Sequence, residues 1–261
     1  MLNRDAIPAK DHLSLRSVLN FRDIGGIAIS GGKQFRKKLI FRSANPDNIN
    51  RGDISRLHGL GIRTIIDLRA PDESKNKRKK IDGIETISLP LDFERVTRER
   101  LIPYFYRKNS HEIIADISNS IYLEILDATV PLFRQLVEII LSPERIPVLI
   151  HCQAGKDRTG IICSLIHMSA GTGREEIIHD FMLSNEALIP YYRRKLMKRK
   201  ILTLGFFPAD RVLYAITVRQ RNIESVMDRV EFYYGGIEGY LDHSGINMAQ
   251  LDKLKERLVS V

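Results

Sequence analysis

One run of ten residues, His151-Cys152-Gln153-Ala154-Gly155-Lys156-Asp157-Arg158-Thr159-Gly160, limits what this chain can become more than any other stretch. Ahead of it lies Ile146-Pro147-Val148-Leu149-Ile150, short, apolar and rich in β-branched residues. Behind it Ile161, Ile162, Leu165 and Ile166 recur at helical spacing. The pattern predicts strand, tight loop and helix. Such a loop turns successive backbone N–H groups inward, and the first N–H groups of the helix have no intrahelical partner. Together they make a nest for an anion, reinforced by the helix dipole. Gly155 lets the backbone close around the anion's oxygens.

The side chains suit a phosphate as well as the backbone does. Cys152 sits at the mouth of this positive field, where a thiol of ordinary pKa about 8.5 is expected to ionise at neutral pH and act as a nucleophile. Arg158, six residues on, offers the planar fork that grips two phosphate oxygens. Thr159 places a hydroxyl near the sulfur, and His151 is positioned to orient the loop from behind. The phosphate-binding set is therefore Gln153, Ala154, Gly155, Lys156, Asp157, Arg158 and Thr159, with Cys152 and Arg158 catalytic. A buried core thiol is the usual fate of a free cysteine, but it would explain none of Gly155, Lys156, Asp157 and Arg158.

His-Cys, five residues, then Arg-Thr resembles the signature of the cysteine-dependent protein tyrosine phosphatases. The variant with Gly-Lys-Asp-Arg-Thr-Gly is similar to the bacterial tyrosine and phosphoinositide phosphatases. Asn20-Phe21-Arg22-Asp23 and Tyr234-Gly235-Gly236-Ile237-Glu238-Gly239-Tyr240-Leu241 resemble that group too, so the likeness spans roughly residues 15 to 258. It implies a tyrosine-phosphatase-like α/β fold, a cysteinyl-phosphate intermediate, and substrates among phosphotyrosine proteins and phosphoinositides. It also implies that the Asn20 segment lies close to the catalytic loop. Lys156 resembles the lysine of the lipid-directed members and favours dual activity.

At 261 residues with 43% hydrophobic content, and with no break in composition, the chain is expected to form a single domain over 1–261. The apolar runs fall short of a membrane span and the first residues lack the apolar core of a secretory signal, so a cytoplasmic location is expected. The two cysteines, Cys152 and Cys163, are separated by about 15 Å of helix, too far for a disulfide, and Cys163 reads as core packing. The seven histidines show no metal-ligand spacing, so neither metal nor cofactor is expected. A formal charge of +9 favours acidic partners. The expected ones are phosphorylated substrates, with peripheral contact to anionic membrane through basic patches and no nucleic acid.

Along the chain, residues 1–19 read as a loose arm and Gly25-Gly26 as a turn. Leu39-Ile40-Phe41, Ile62 to Leu68, Ile84 to Leu89 and the run before Cys152 are strands, and Ile54, Leu57 and Leu60 mark a helix that stops at Gly61. Strand, helix, strand is a crossover unit, so the strands should be parallel, giving a central, mainly parallel sheet of about four to five strands flanked by helices. Ser74 to Lys80 is a basic loop. Phe93 to Asn119 is charged and irregular, and residues 93–130 read as an inserted helical cap. Phe133, Leu136, Val137, Ile140 and Leu141 form a helix face that can begin as early as Tyr122, with Pro131 kinking or dividing it. Thr172-Gly173-Arg174-Glu175 reads as a capping box, and Tyr191 to Lys200 as a basic helix with an aromatic head. The rest packs as helices around a glycine-rich turn.

Ligands of parallel sheets bind beyond the carboxyl ends of the strands, where Asp67, Asp92 and Cys152 all fall. Asp92 is the candidate general acid, just past a strand in Leu89-Pro90-Leu91-Asp92-Phe93, a stretch that resembles the family's acid-bearing segment. Asp67 is the runner-up, with an anchoring role as its plainer reading. Asp157 is suited to ordering Lys156. Two other functions compete: a rhodanese-like sulfurtransferase, which also sets a cysteine in an anion-binding loop but needs neither Asp92 nor Thr159, and a phospho-binding module without catalysis.

Overall fold

The computed structural model describes residues 15–74 and 79–260. Most of the expected N-terminal arm and residues 75–78 of the basic loop therefore lie outside the described residues.

Five strands make the central sheet: β1 (Arg22–Asp23), β4 (Ile40–Ser43), β5 (Thr64–Asp67), β6 (Glu85–Ser88) and β7 (Val148–His151), in the order β1-β4-β7-β5-β6. The last four run parallel and β1 pairs antiparallel at the edge. Helix α1 (Arg51–Gly59) makes the crossover from β4 to β5, and β7 then inserts between those two strands. The parallel expectation holds, and the register sets Ser43, His151, Asp67 and Ser88 level at the carboxyl edge.

Strand periodicity divides the core in two. Ile40, Ile66, Val148 and Ile150 face the larger apolar cluster, while Phe41, Ile65 and Leu149 face a smaller one with Leu57 of α1. Both faces are covered, as a parallel sheet requires. On the larger face pack α4 (His111–Leu141), α5 (Asp157–Ser169), α6 (Arg174–Leu202), α8 (Gln220–Phe232), α9 (Gly236–His243) and α10 (Met248–Leu258). The remaining helices are α2 (Pro71–Ser74), α3 (Glu94–Phe105) and α7 (Ala209–Ile216).

Two local expectations are corrected, and a third gains detail. The charged stretch 93–119, irregular in sequence, is helical as the expected cap is: α3 and the first turns of α4 bury Leu101, Ile114 and Ile121, and pair charges outside, as in Arg98 with Glu94 and Arg100 with Glu124. Charged residues interleaved with the apolar ones mask the helical period there. Pro131 does not divide α4, which runs unbroken from His111 to Leu141; burial of Thr129, Phe133 and Leu136 around it offsets the one lost hydrogen bond. Thr172 caps nothing. Its backbone bridges Ile29 in extended form, its hydroxyl is unpartnered among the described residues, and Gly173 takes the N-cap of α6. The basic helix is the C-terminal part of this same 29-residue α6.

A second sheet was not foreseen. β2 (Ala28–Ile29), β3 (Lys33–Phe35) and β8 (Val259–Ser260) pair antiparallel and tie the two ends of the fold together. Strands of two or three residues carry no periodic signal. Among the described residues no helix is long and apolar enough to cross a membrane.

Candidate active site

The decapeptide does what its flanks dictate: β7 ends at His151 and α5 begins at Asp157, with the loop between them at the carboxyl edge of the sheet. Gly155 has φ +65°, and a Cβ there would lie 2.1 Å from the Ser43 carbonyl oxygen, so both the turn and the close approach need glycine.

Three of the loop's carbonyls, those of Gln153, Ala154 and Gly155, are engaged from outside. The Asn45 N–H donates to the Gln153 oxygen at 3.2 Å, Asn20 Nδ2 to Gly155 at 2.8 Å and Ala154 at 3.3 Å, and Arg42 Nη2 to Gly155 at 2.8 Å. The N–H groups of residues 153 to 158 donate to no acceptor among the described residues. Unpartnered N–H groups in succession are what an anion nest requires. The Asn20 segment does lie against the loop.

The donors are themselves fixed by a buried ion network. Asp180 of α6 accepts from Arg22 Nε and Arg42 Nη1, both at 2.8 Å, and Arg22 Nη1 donates to Asn20 Oδ1 at 2.6 Å. Burial alone would push the Asp180 carboxyl up, but the two guanidiniums outweigh it and hold it far below the usual carboxylate range. Sequence reasoning missed Arg42 and Asp180, which are 138 residues apart.

Cys152 is 2% exposed, just past the end of β7. Behind it, His151 Nδ1 lies 3.1 Å from the Cys152 carbonyl oxygen, so Nδ1 carries the proton. Burial lowers the His151 pKa, and the ring is neutral. The Thr159 hydroxyl is buried and bonds no described group, the Cys152 sulfur included. Cys163 is fully buried inside α5, and burial pushes its thiol up to about 11, in keeping with a packing role.

Arg158 is held by a residue the sequence did not single out. Nη1 and Nη2 donate to the two Glu73 oxygens at 2.5 and 2.7 Å, and Nη1 also donates to the Leu91 carbonyl at 2.9 Å. Three of five guanidinium N–H groups are thereby used. The Nε–H and the second Nη2–H, which form the other parallel pair, meet no acceptor among the described residues. Glu73 could have been noticed in Ala70-Pro71-Asp72-Glu73, where its carboxylate also accepts from the Ala70 N–H at the start of α2. Its reach to Arg158 is a tertiary fact.

The three aspartates separate. Asp92 is exposed and lines an open cleft with Glu73, Glu94 and the loop residue Gln153, one residue beyond the carbonyl that Arg158 holds. Asp67 is fully buried and accepts from Arg69 N, Nε and Nη2, each at 3.0 Å. Burial raises its pKa, but the Arg69 hydrogen bonds more than offset this, and the carboxyl is held below its ordinary value as an anchoring anion. Asp157 accepts from Lys156 Nζ at 2.7 Å and from the Tyr122 hydroxyl. Lys156 is thus ordered by its neighbour, and both line a small cavity of mixed character with Arg158, Glu94, Leu101 and Tyr122 beneath α3 and α4.

A tyrosine-protein phosphatase of Nostoc commune is 29% identical over 224 residues, covering 83% of this chain and 73% of that protein. The triple specificity protein phosphatase PtpB of Mycobacterium tuberculosis is 26% identical over 267 aligned positions, covering 90% of this chain and 95% of its own. An inositol diphosphatase of Arabidopsis thaliana is 28% identical over 135 residues, covering 47% and 50%. The sequence model of the tyrosine phosphatase family matches residues 13–260, nearly the whole length and both flanking stretches of the loop, and the chain belongs to that family.

Proposed function

We propose that Cys152 attacks the phosphorus of a bound phosphomonoester to give a cysteinyl-phosphate, and that water then releases phosphate. In this reading the loop N–H groups and the free Nε/Nη2 edge of Arg158 grip the equatorial oxygens, where charge spreads in the transition state. Asp92 protonates the leaving oxygen, then takes a proton from the attacking water. Thr159 offers its unpartnered hydroxyl to the departing thiolate. The observation that supports the reading is the engagement of the Gln153, Ala154 and Gly155 carbonyls from outside, with the loop N–H groups next to Cys152 left without an acceptor among the described residues.

The substrates are phosphotyrosine proteins and phosphorylated inositides. Lys156 beside the loop supports the second class, as do relatives named for triple specificity and for inositol diphosphate. Residues 93–130 act as a cap, since α3 and α4 roof the cavity next to the loop. The bases of α6 draw the protein to anionic membranes, and a catalytic thiol with no disulfide partner suits the cytoplasm.

The test is phosphate release from a small aryl phosphate, a phosphotyrosine peptide and a soluble short-chain phosphoinositide. Turnover of all three is expected. No release from any of them would overturn the proposal, and sulfur transfer from thiosulfate would replace it with a sulfurtransferase.

A further inference from the structure

The corner between α6 and α7 has no part in the chemistry above, yet it exposes a cluster of large apolar side chains beside a run of bases. Residues 187–223 contain a single carboxylate, Asp210, against six bases in Arg193-Arg194-Lys195 and Lys198-Arg199-Lys200 alone. At the end of this basic helix the chain turns four large apolar side chains into solvent: Ile201 is 70% exposed, Leu202 83%, Leu204 88% and Phe206 83%. Single exposed hydrophobes are ordinary, but four within six residues form a patch.

The backbone makes the choice of residues stranger. Gly205 N–H donates to the Lys200 carbonyl at 2.8 Å, which closes the end of α6 and puts Leu204 at φ +49°. This is the left-handed position after a helix where glycine is normally found. Leucine is strained there and gains no packing in return. The corner is nonetheless well braced: Arg199 stacks 4.4 Å over the Phe207 ring, Lys200 pairs with Asp210 at 3.0 Å, and Arg211 donates to the Phe105 carbonyl at 3.1 Å. A held, convex, apolar tip with a basic collar is the result.

We infer that this corner is a membrane-docking wedge, with Leu202, Leu204 and Phe206 entering the boundary between headgroups and acyl chains of an anionic bilayer while the bases of α6 rest on the headgroups. Charge and shape select this occupant. An acidic protein would match the bases but would need its own pocket for each projecting side chain, and a second copy would bring six like charges against these six. The inference deepens the inositide part of the proposed function and rests on it for its purpose. Tyr192, on the same helix, has its hydroxyl pKa pushed up by burial first and then by the negative charge of neighbours that include Asp157 and Cys152 of the loop. Ten residues of helix, about 15 Å, separate it from Leu202. Docking at the corner would therefore bring the catalytic mouth within reach of a headgroup.

The chain contains no tryptophan, so Phe206→Trp installs a single fluorescent reporter. With vesicles of phosphatidylcholine and phosphatidylserine at about three to one, its emission should shift to the blue and be quenched by lipid brominated in the acyl chain; phosphatidylcholine alone should do neither. The double variant Leu204→Gly with Phe206→Ser places glycine where the backbone favours it. It should partition onto the anionic vesicles about tenfold less or weaker still, with turnover of the soluble short-chain phosphoinositide unchanged. An unshifted reporter, or a double variant that binds vesicles like wild type, would overturn the inference. So would self-association of the wild type that the double variant abolishes, or binding to polyglutamate in place of vesicles. Vesicle binding without turnover of any phosphoester would leave the docking surface standing and sink the catalytic reading instead.

Discussion

Arg158 and Glu73 form a two-pronged ion pair, Nη1 to Oε1 at 2.5 Å and Nη2 to Oε2 at 2.7 Å, with both side chains only 6% exposed. The pair fixes which edge of the guanidinium remains for a ligand, and the Leu91 carbonyl on Nη1 links that choice to the segment bearing Asp92. A clamp held this way does not have to be ordered again with each substrate.

Glu73→Gln keeps one acceptor and loses the charge, so Arg158 should still fold into place but point less reliably. kcat/KM for an aryl phosphate is expected to fall about 10- to 100-fold. Glu73→Ala leaves a buried guanidinium without its counter-charge and should also cost about 3–5 kcal/mol of stability, read by denaturant unfolding. Wild-type kinetics in both variants would mean that the Leu91 and Leu68 carbonyls, which accept from Nη1 at 2.9 and 3.4 Å, are enough to position the clamp.

Cys152→Ser should abolish turnover while retaining phosphate binding, because a hydroxyl preserves the shape but supplies no thiolate. Isothermal titration with inorganic phosphate and a rate assay on the same preparation separate the two effects. Arg158→Lys should be nearly as damaging, since an ammonium reproduces neither the Glu73 fork nor the opposite edge.

For Asp92→Asn the expected loss is about 10²- to 10⁴-fold on poor leaving groups and much less on good ones, the range for a missing general acid. A series of aryl phosphates with graded leaving groups measures it. If Asp67→Asn gave that dependence instead, the assignment to Asp92 would be wrong; the buried Asp67 is expected to lose stability and to affect all leaving groups alike.

The Asp180 network makes stability depend on acid. Because Arg22 and Arg42 hold the folded carboxyl below its unfolded value, its contribution is complete above about pH 4 and is lost as pH falls toward the folded value. Melting temperature should drop steeply between about pH 4 and pH 2 in wild type and more gently in Asp180→Asn. That variant should also be about 3–5 kcal/mol less stable at neutral pH.

Lys156 is bonded to Asp157 at 2.7 Å, so a second phosphate on an inositol ring must compete with a carboxylate for it. Lys156→Ala is still expected to lower kcat/KM more for a multiply phosphorylated soluble inositide than for a phosphotyrosine peptide, by about 1 kcal/mol. Equal losses would assign Lys156 to the common phosphate alone.

The sequence by itself determined the strand-loop-helix around Cys152, the parallel strands and the glycine at 155, because each follows from local rules: side-chain period, unpaired helix N–H groups and a left-handed φ. It also marked Asn20 to Asp23, though only through family likeness. What only the tertiary structure decided are the partners that make the loop work: Glu73 on Arg158, Arg42 and Asp180 beneath Gly155, and the choice of which aspartate faces the cleft and which is buried. The bounds of α3 and the first turns of α4 were harder to read, because charges such as Arg98 and Glu94 pair across a turn and Leu101 is the one buried residue of α3. The apolar face of α4 from Tyr122 onward, by contrast, was legible. A hydrogen bond between residues 85 or 138 positions apart leaves no periodic trace in the chain, since its energy depends on where the fold sets both ends.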